Sequence, residues 1–520
     1  MVPSRSISAP TERAPAIWRS LSGAEWLWPA GLFVLAVLAR VGSLLGQGFD
    51  GLYGQDPFAY FTYAVGPLRT ALLHFQPLPP FFWPPGYPLL IGLGSLLFGA
   101  TPLVGEWLSL IAGSLVPALT FLLANEVCID LRCGVAWVPI LAGLVTVFHP
   151  QLWQSSIVVM SDTVSLAAAT LGGWALARYA RLNRPRWLAL SAAALAYAIA
   201  TRWAYALVAI PCAAYGVYLL LSRSRAHRAE AVRGAAAATV SGGVVLVALL
   251  GPGLLTHSAT TGPVFTGDLE VYSWSPLNFL RRQFVTADGL LSYRLPNGLY
   301  YGLSPAHPDY FTPLLATLLL PGVWLLLERR RALPWVLLVA WPAMVLGFHA
   351  GAPWQNFRFT LAALPPLAVL LALGAAQVAA WLRPRWRWLL GALIAAGLAW
   401  QALGGLQLAR QFIVRKRGDL ALVAAVEAQA PANAQLLAFN ITATFDYYSR
   451  LETHELWSLD AGQVASIVAD GRPTLLLIDV ANVEAQWQGR APSNNYHWLR
   501  DGPGLDPLGQ YQNYTLFQVR

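Results

Sequence analysis

Long apolar runs recur along almost the whole chain, and they restrict its fold more than any other feature of the sequence. Clear examples are Leu27–Leu45, Leu103–Ala124, Ala235–Leu255 and Thr360–Trp381. A helix needs roughly 20 apolar residues to cross the hydrocarbon core, where only helices and closed barrels satisfy every backbone hydrogen bond. With 56% hydrophobic and 11% charged residues, the chain is expected to be an all-α polytopic membrane protein.

The positions of the positive charges argue against a nucleic-acid partner. The formal net charge is +9, but the arginines cluster in short connectors at residues 178–186, 223–233, 328–331 and 383–387. This pattern follows the positive-inside rule and predicts that these connectors are cytoplasmic. The three cysteines form no CxxC pair, so neither a disulfide framework nor a zinc site is expected.

One apolar run, Gly86–Gly99, is too short to be an ordinary span. It would form roughly 21 Å of helix, against a hydrocarbon core of roughly 30 Å. If it crossed the membrane, every later arginine cluster would lie outside, so it is interpreted as a juxtamembrane helix. About 11 transmembrane helices remain, with the N-terminus cytoplasmic and the C-terminus outside. Their approximate limits are 27–45, 103–126, 135–152, 156–177, 187–201, 203–221, 235–255, 311–327, 332–348, 358–381 and 388–409.

The remaining segments define the outer side of the protein. Two long outer loops are expected at residues 46–102 and 256–310, and aromatic side chains in the second argue against disorder. Residues 1–410 therefore form a transmembrane domain, and residues 411–520 form a small extracytoplasmic α/β domain. Its predicted elements are the strands Gln435–Ile441, Thr474–Val480 and Tyr514–Val519 and the helices Asp419–Ala430 and Ala461–Ala469.

Polar residues that the connectors do not explain collect at the outer ends of the helices. Carboxylates and arginines near lipid are costly, so their presence suggests a functional site. Arginine binds phosphate through its planar fork, and a carboxylate takes a proton from an attacking hydroxyl. The set consists of Asp50, Asp56, His74, His149, Asp162, Arg202, His349, Gln355 and Arg358.

Each of these residues also has a purely structural interpretation. Asp56 precedes Pro57 and suits a helix cap, as does Asp162 in Ser161-Asp162-Thr163. His149 precedes Pro150, as at a helix terminus. Asp50 fits an ordinary interfacial loop, and Arg202 and Arg358 fit side chains that reach to the interface. The residues alone leave these alternatives open.

Several motifs together resemble those of the GT-C membrane glycosyltransferases. An aspartate in the first outer loop is followed by an aromatic-rich helix and then by Phe82-Trp-Pro-Pro-Gly-Tyr-Pro-Leu-Leu90. Further matching elements are His149-Pro150, Ser161-Asp162-Thr163, Thr201-Arg202-Trp203, and Asn356-Phe357-Arg358 leading into Leu364-Pro365-Pro366. The subgroup that the chain resembles comprises bacterial relatives of protein O-mannosyltransferases and aminoarabinose transferases. The resemblance extends over nearly the whole chain, including the C-terminal α/β domain.

The resemblance implies a function. Such enzymes move a sugar from a polyprenyl-phosphate carrier to an acceptor hydroxyl on the outer face, usually with inversion. Asp56 matches the general base and Asp162 the second acid, both catalytic. Arg202 and Arg358 match the groups that hold the phosphate. Further expected substrate-binding residues are Asp50, Tyr60, His74, Tyr87 and His149.

The expected partners are a polyprenyl-phosphate-linked sugar donor, membrane lipid, and a protein, lipid or polysaccharide acceptor. Pro57 stands where the family often has glutamate after the aspartate, so no cofactor is certain and a divalent metal ion stays open. The expected location is the bacterial inner membrane, since a single lysine among the basic residues is typical of GC-rich bacterial genomes. A non-catalytic scaffold and a lipid or sugar transporter or flippase are the alternative functions.

Overall fold

The structure, a computed structural model, describes residues 26–222, 228–256 and 273–520. Part of the predicted connector at 223–233 and the first part of the outer loop at 256–310 lie outside the described residues. Within the described ranges, helices dominate the chain, and the strands are short and lie in residues 283–292 and 435–519.

The helices and strands follow each other in this order. The first half contains α1 (Leu27–Leu44), α2 (Gln55–Tyr63), α3 (Arg69–Leu73), α4 (Gly86–Phe98), α5 (Pro102–Leu131), α6 (Trp137–Val147), α7 (Pro150–Ser156), α8 (Asp162–Leu182), α9 (Pro185–Thr201), α10 (Ala206–Leu221) and α11 (Arg228–Thr256). Next come β1 (Gln283–Thr286), β2 (Gly289–Ser292), α12 (Asn297–Leu303), α13 (Thr312–Ala316), α14 (Leu319–Arg329), α15 (Ala332–Trp335), α16 (Trp341–Gly351), α17 (Leu364–Trp381) and α18 (Arg387–Gln429). The last segment contains β3 (Gln435–Ala438), α19 (Thr442–Tyr448), β4 (Glu452–Glu455), α20 (Ala461–Val468), β5 (Thr474–Ile478), α21 (Val480–Gln486), α22 (Ala491–Asp501), β6 (Leu505–Tyr511) and β7 (Tyr514–Val519).

Eight of the described helical segments are long and apolar enough to cross a membrane. They coincide with eight of the predicted spans, so the chain is a multi-pass membrane protein. The other three predicted spans correspond to α6, α8 and α9, which are shorter or more polar but pack in the same bundle. Helix α4 has 13 residues, which agrees with the short juxtamembrane helix expected there.

The bundle is built around α5 and α17. Helix α5 packs against α1, α6 and α8, and α17 packs against α6 and α14. In the most apolar 18-residue stretch of the segment that contains α17, 89% of the residues are buried, against 11% in that of α11. Helix α17 is therefore central and α11 is peripheral. Gly374 allows the closest approach, because a Cβ there would overlap the carbonyl oxygen of Leu318.

Charged residues mark the two ends of α8. At its carboxyl end, the buried Glu126 pairs with Arg178 at 3.3 Å and with Arg181 at 2.7 Å. Asp162 begins the same helix, roughly 24 Å away along the axis at 1.5 Å per residue. The acids and arginines singled out in the sequence therefore lie at the end opposite to the Arg178 connector.

The C-terminal domain is a five-stranded mixed sheet with helices on both faces. The strand order is β4-β3-β5-β7-β6, with β4, β3 and β5 parallel and β7 antiparallel to both β5 and β6. Side chains of α18 and α19 pack on one face, and side chains of α20, α21 and α22 pack on the other. The three predicted strands are found, and β4 and β6 are additional.

Two elements connect the bundle to this domain. Helix α18 is continuous over 43 residues, so the predicted boundary at residue 410 falls inside a helix rather than in a linker. The hairpin β1–β2 of the second outer loop contacts α21. Gln486 Nε2 donates to the carbonyl of Asp288 at 2.8 Å, and Arg490 Nη2 donates to that of Thr286 at 2.8 Å. Both elements hold the domain against the end of the bundle.

Candidate active site

Asp56 lies in the first turn of α2, where its side chain is free of any capping role. The helix begins one residue earlier, after Gly54, whose φ of 82° is favourable for glycine. The Asp56 carboxylate is instead 3.0 Å from Nη2 of Arg358, and 34% of the side chain is exposed. The capping interpretation of Asp56 is therefore wrong, and its carboxylate faces other side chains.

Asp162 is the centre of a buried charge network. Its side chain is 3% exposed, and Oδ1 lies 3.1 Å from Nη1 of Arg202. Its Oδ2 lies 3.7 Å from Nε of Arg358, whose Nη2 reaches Asp56. Two carboxylates and two guanidinium groups thus form one chain of contacts, Arg202–Asp162–Arg358–Asp56. Here too the side chain makes no helix cap.

Breaks in regular structure position these four side chains. Arg202 follows α9 in an extended conformation. Arg358 lies in the first turn of a 3-10 helix, where its amide donates to Oδ1 of Asn356 at 2.9 Å. Ahead of Asp162, Ser109 Oγ donates to the carbonyl of Met160 at 3.1 Å. Because each charge sits at an element terminus, residues far apart in the sequence converge at one end of the bundle.

The network borders a largely aromatic cavity of about 350 Å³, which we name the aromatic cavity. It also contains Tyr60, stacked on Trp83 at 4.7 Å, and His349, stacked on Phe359 at 5.1 Å. Burial raises the pKa of the Tyr60 hydroxyl to about 12, so this group stays protonated at neutral pH. The lining residues are Asp56, Tyr60, Trp83, Pro84, Arg202, Trp203, Ala204, Ala206, Leu207, Phe348, His349, Ala352, Trp354, Arg358 and Phe359.

A second cavity of about 400 Å³ lies beside the first, and we name it the amide cavity. Asp56 and Arg358 line both cavities, so their ion pair is part of the boundary between them. The other lining residues are Tyr53, Gly54, Gln55, Pro57, Gln151, Gln154, Ser155, Val158, Met160, Asn356 and Phe412. The site thus has two hollows that meet at one carboxylate.

The structure places three predicted substrate-binding residues away from these cavities. His74 ends α3 on the surface, where its Nδ1 lies 2.9 Å from the carbonyl of Thr70. His149 is fully buried and caps α7, with Nδ1 accepting from the amide of Leu152 at 3.2 Å. Tyr87 is fully buried too. These positions correct the expectation that the three residues line the site.

Tyr87 contacts the residues that hold the turn before Asp162. Its hydroxyl donates to Oγ of Ser109 at 2.8 Å and lies 3.0 Å from the carbonyl oxygen of Gly105. Since Ser109 in turn bonds the backbone of Met160, Tyr87 helps to fix the turn before Asp162.

Asp50 is also absent from the lining of both cavities, because it is engaged elsewhere. Its carboxylate binds Nζ of Lys416 on α18 and the hydroxyl of Tyr448 on α19, and Lys416 donates to that hydroxyl at 2.6 Å. Lys416 is 6% exposed and is the only lysine of the chain. This cluster joins the loop that carries Asp56 to the C-terminal domain.

Comparisons with known proteins agree with this architecture. Residues 83–250 match the family model described as dolichyl-phosphate-mannose-protein mannosyltransferase. The apo structure of ArnT from Cupriavidus metallidurans aligns with a TM-score of 0.61 at 14% identity, covering 96% of this chain and 98% of that chain. The chain has the GT-C fold. The same ArnT bound to undecaprenyl phosphate gives a TM-score of 0.58 at 14% identity, with 96% and 99% covered.

A further GT-C structure shows the same likeness over a smaller share of its length. Archaeal oligosaccharyltransferase AglB from Archaeoglobus fulgidus, in complex with an inhibitory peptide and a dolichol-phosphate, aligns with a TM-score of 0.55 at 12% identity. The alignment covers 89% of this chain and 70% of AglB. A comparison with curated protein sequences finds no match. The fold resemblance expected from the motifs is confirmed.

The acids of this GT-C site do not fit a divalent metal ion. Within the described residues, no group of three or more His, Cys, Asp or Glu side chains is arranged to hold one. Guanidinium groups contact both carboxylates, Arg358 at Asp56 and Arg202 at Asp162. A cation could bind these carboxylates only if both arginines moved away.

Sequence reasoning missed several residues of the two cavities. Gln151 and Gln154 follow His149-Pro150, where the sequence directs attention to His149 and not to the two amides. Trp83 lies inside the quoted Pro-Pro-Gly motif, and His349 was in the outer polar set but was not assigned a role. For Lys416 the sequence does hold a signal, because it is the only lysine in a chain whose other basic residues are arginine or histidine.

The Asp50–Lys416–Tyr448 cluster gives a stability prediction. Lys416→Met leaves the Asp50 carboxylate without its cation. We expect the free energy of unfolding to fall by about 1–3 kcal/mol, and the melting midpoint to fall with it. The measurement is the melting midpoint of the detergent-solubilised protein by tryptophan fluorescence. The double variant Asp50→Asn with Lys416→Met removes both charges and is expected to recover part of the loss. Equal midpoints for the single variant and the wild type would contradict the cluster's structural role.

Proposed function

We propose that this chain is a membrane glycosyltransferase that moves a sugar from a polyprenyl-phosphate carrier to an acceptor hydroxyl, with inversion. The observation that carries the proposal is the continuous network Arg202–Asp162–Arg358–Asp56 at the boundary of two cavities. It combines a partly exposed carboxylate with two fixed cations. An anionic leaving group and a weak hydroxyl nucleophile require these two elements.

The aromatic cavity suits the carrier end of the donor. Its walls are mostly aromatic and aliphatic, and its polar groups are the two arginines, His349, Tyr60 and Asp56. Arg202 and Arg358 would hold the phosphate, because guanidinium forks bind phosphate oxygens in pairs. Fixed cations stabilise the charge that grows on the phosphate as the bond to the sugar breaks. Bound undecaprenyl phosphate in the ArnT structure supports this assignment.

Asp56 is the proposed general base. As the acceptor oxygen forms its bond to the anomeric carbon, the carbon–oxygen bond to the phosphate breaks and the hydroxyl proton passes to Asp56. Protonation neutralises Asp56 and weakens its hold on Arg358 at the moment when the phosphate gains negative charge. Asp162 lies between Arg202 and Arg358 and positions both. Attack from the side opposite to the leaving phosphate inverts the anomeric centre.

The proposed site faces the exterior of the bacterial inner membrane. It lies at the end of α8 opposite to Arg178 and Arg181, and the positive-inside rule places that arginine connector in the cytoplasm. The C-terminal domain is then extracytoplasmic, on the side of the site. A protein, lipid or polysaccharide acceptor on the exterior of this membrane would then have direct access to Asp56.

The test compares cells with and without the gene by mass spectrometry of lipid-linked sugars and envelope glycans. Loss of the protein is expected to remove one sugar addition and to cause the polyprenyl-phosphate sugar donor to accumulate. Identical glycans and unchanged lipid-linked sugars in both strains would refute the proposal. Flux of a lipid-linked sugar into sealed vesicles without any transfer product would instead indicate a transporter.

A further inference from the structure

The amide cavity has no role in donor binding as proposed above, yet it reaches the same carboxylate. Asp56 and Arg358 line it together with side chains from α7, α18 and the first outer loop. A group held in this cavity would approach Asp56 from the side away from the aromatic cavity. The position is therefore that of a second substrate, and the identity of this substrate can be inferred from the walls.

The walls are polar but nearly uncharged. Apart from Asp56 and Arg358, which pair with each other at 3.0 Å, the polar lining consists of amides and hydroxyls. Arg358 is the residue proposed above to hold the donor phosphate, and the described lining of the amide cavity contains no second cation for a phosphorylated or carboxylated acceptor. Because buried charge without a partner is costly, an uncharged ligand fits best.

Two glutamines on α7 form the most ordered part of the lining. Gln151 and Gln154 are each 8% exposed, and Nε2 of Gln151 donates to Oε1 of Gln154 at 2.9 Å. Nε2 of Gln154 donates to the carbonyl of Leu408 at 3.4 Å. Among the described residues, Oε1 of Gln151 accepts no hydrogen bond. A ligand hydroxyl can donate to that oxygen, and the hydrogen bond from Nε2 to Gln154 holds the Gln151 side chain in place.

An aromatic wall lies beside the amides. The rings of Tyr53 and Phe412 have their centroids 4.8 Å apart, and both line the cavity. Amides with free donors and acceptors next to aromatic rings match a sugar ring, whose edge carries hydroxyls and whose face carries C–H groups. The volume of about 400 Å³ lies at the small end of ligand pockets and suits a compact group better than an extended peptide.

We infer that the amide cavity binds the acceptor, and that this acceptor is a neutral, hydroxyl-rich carbohydrate. This inference rests on the proposed function and specifies its substrate class. One sugar hydroxyl lies against Asp56 and loses its proton to that carboxylate, while Gln151 and Gln154 bind neighbouring hydroxyls. The transferred sugar is then attached to another sugar through a glycosidic bond, and the carrier phosphate is released on the opposite side.

The experiment identifies the chemical group that receives the sugar. Glycans and envelope polymers from cells with and without the gene are compared by linkage analysis and mass spectrometry. In parallel, Gln151→Leu and Gln154→Leu are expressed in the deletion strain, with Gln407→Leu on the exposed surface of α18 as the matched control. Each cavity variant is expected to lower the amount of product about fivefold to tenfold, the effect of one lost hydrogen bond. The control is expected to match the wild type.

The outcomes separate this inference from the proposed function. A sugar missing from a neutral glycan hydroxyl, with less product in both cavity variants, supports the inference. A sugar missing instead from serine or threonine, or from a phosphorylated lipid, overturns it while leaving the glycosyltransferase intact. No missing sugar at all refutes both. Thermal midpoints and undecaprenyl phosphate binding of the variants exclude misfolding, and wild-type product levels in both folded variants would also overturn the inference.

Discussion

Replacing Asp56 by asparagine is expected to reduce sugar transfer by roughly 10²–10⁴-fold while leaving the binding of undecaprenyl phosphate intact. The amide has almost the same shape as the carboxylate and still accepts a hydrogen bond from Arg358, which lies 3.0 Å away. It cannot take the proton of the acceptor hydroxyl. The measurement is single-turnover transfer from the cell's own polyprenyl-phosphate sugar by protein in proteoliposomes.

The matched control for this prediction is Asp446→Asn, a carboxylate exposed on the C-terminal domain. It changes the formal charge by the same amount, and its rate is expected to equal that of the wild type. A wild-type rate in Asp56→Asn would remove Asp56 from the mechanism. Loss of undecaprenyl phosphate binding in that variant would mean that the carboxylate positions Arg358 and does not serve as the base.

Arg358→Gln is expected to reduce transfer by roughly 10²–10³-fold, the range found when one preorganised charge-stabilising donor is removed. It should also weaken binding of undecaprenyl phosphate, because Arg358 is one of two cations beside the aromatic cavity. Arg358→Lys keeps the charge but not the planar fork that reaches toward Asp56 and Asp162. We therefore expect it to recover only part of the loss. Binding and single-turnover rates are measured separately.

Arg410→Gln is the control for Arg358, since Arg410 is exposed on α18. The double variant Asp56→Asn with Arg358→Gln tests whether the two residues act together. If they do, the double variant will lose much less activity than the fold-losses of the two single variants multiplied together. Wild-type phosphate binding in Arg358→Gln would contradict the proposed role of this arginine.

Much of the fold could be predicted because its signals are local. The apolar runs identify the spans, and the fully buried β3 and β5 read as strands from their own residues. The two missed strands of the C-terminal sheet, β4 and β6, lie at its edges. Strand β4 is short and polar, and β6 contains Pro507 with a register shift before Gly509, which weakens its pattern. The lack of a spanning run after Arg410 predicts a domain boundary there, but α18 continues to Gln429.

Site residues could be predicted where a charged side chain lies near lipid, because such a position is costly. They could not be predicted where the role of a residue depends on its tertiary partner. Asp56, Asp162, Arg202 and Arg358 are charged groups at helix ends near lipid, and the structure brings all four together, although their roles stay predictions. Asp50 looked the same in the sequence, yet it pairs with a lysine far along the chain. For His149 the structural alternative is correct, because its ring caps α7. No sequence pattern reveals such tertiary partners.

The unique lysine has a practical consequence for studying motion of the C-terminal domain. Apart from any α-amino group, an amine-reactive dye finds a single target, and the salt bridge with Asp50 shields it. The speed of modification therefore reports how often the interface between the bundle and the C-terminal domain opens. Substrates that lock or loosen this interface would change that speed, with no need to introduce a label by mutagenesis.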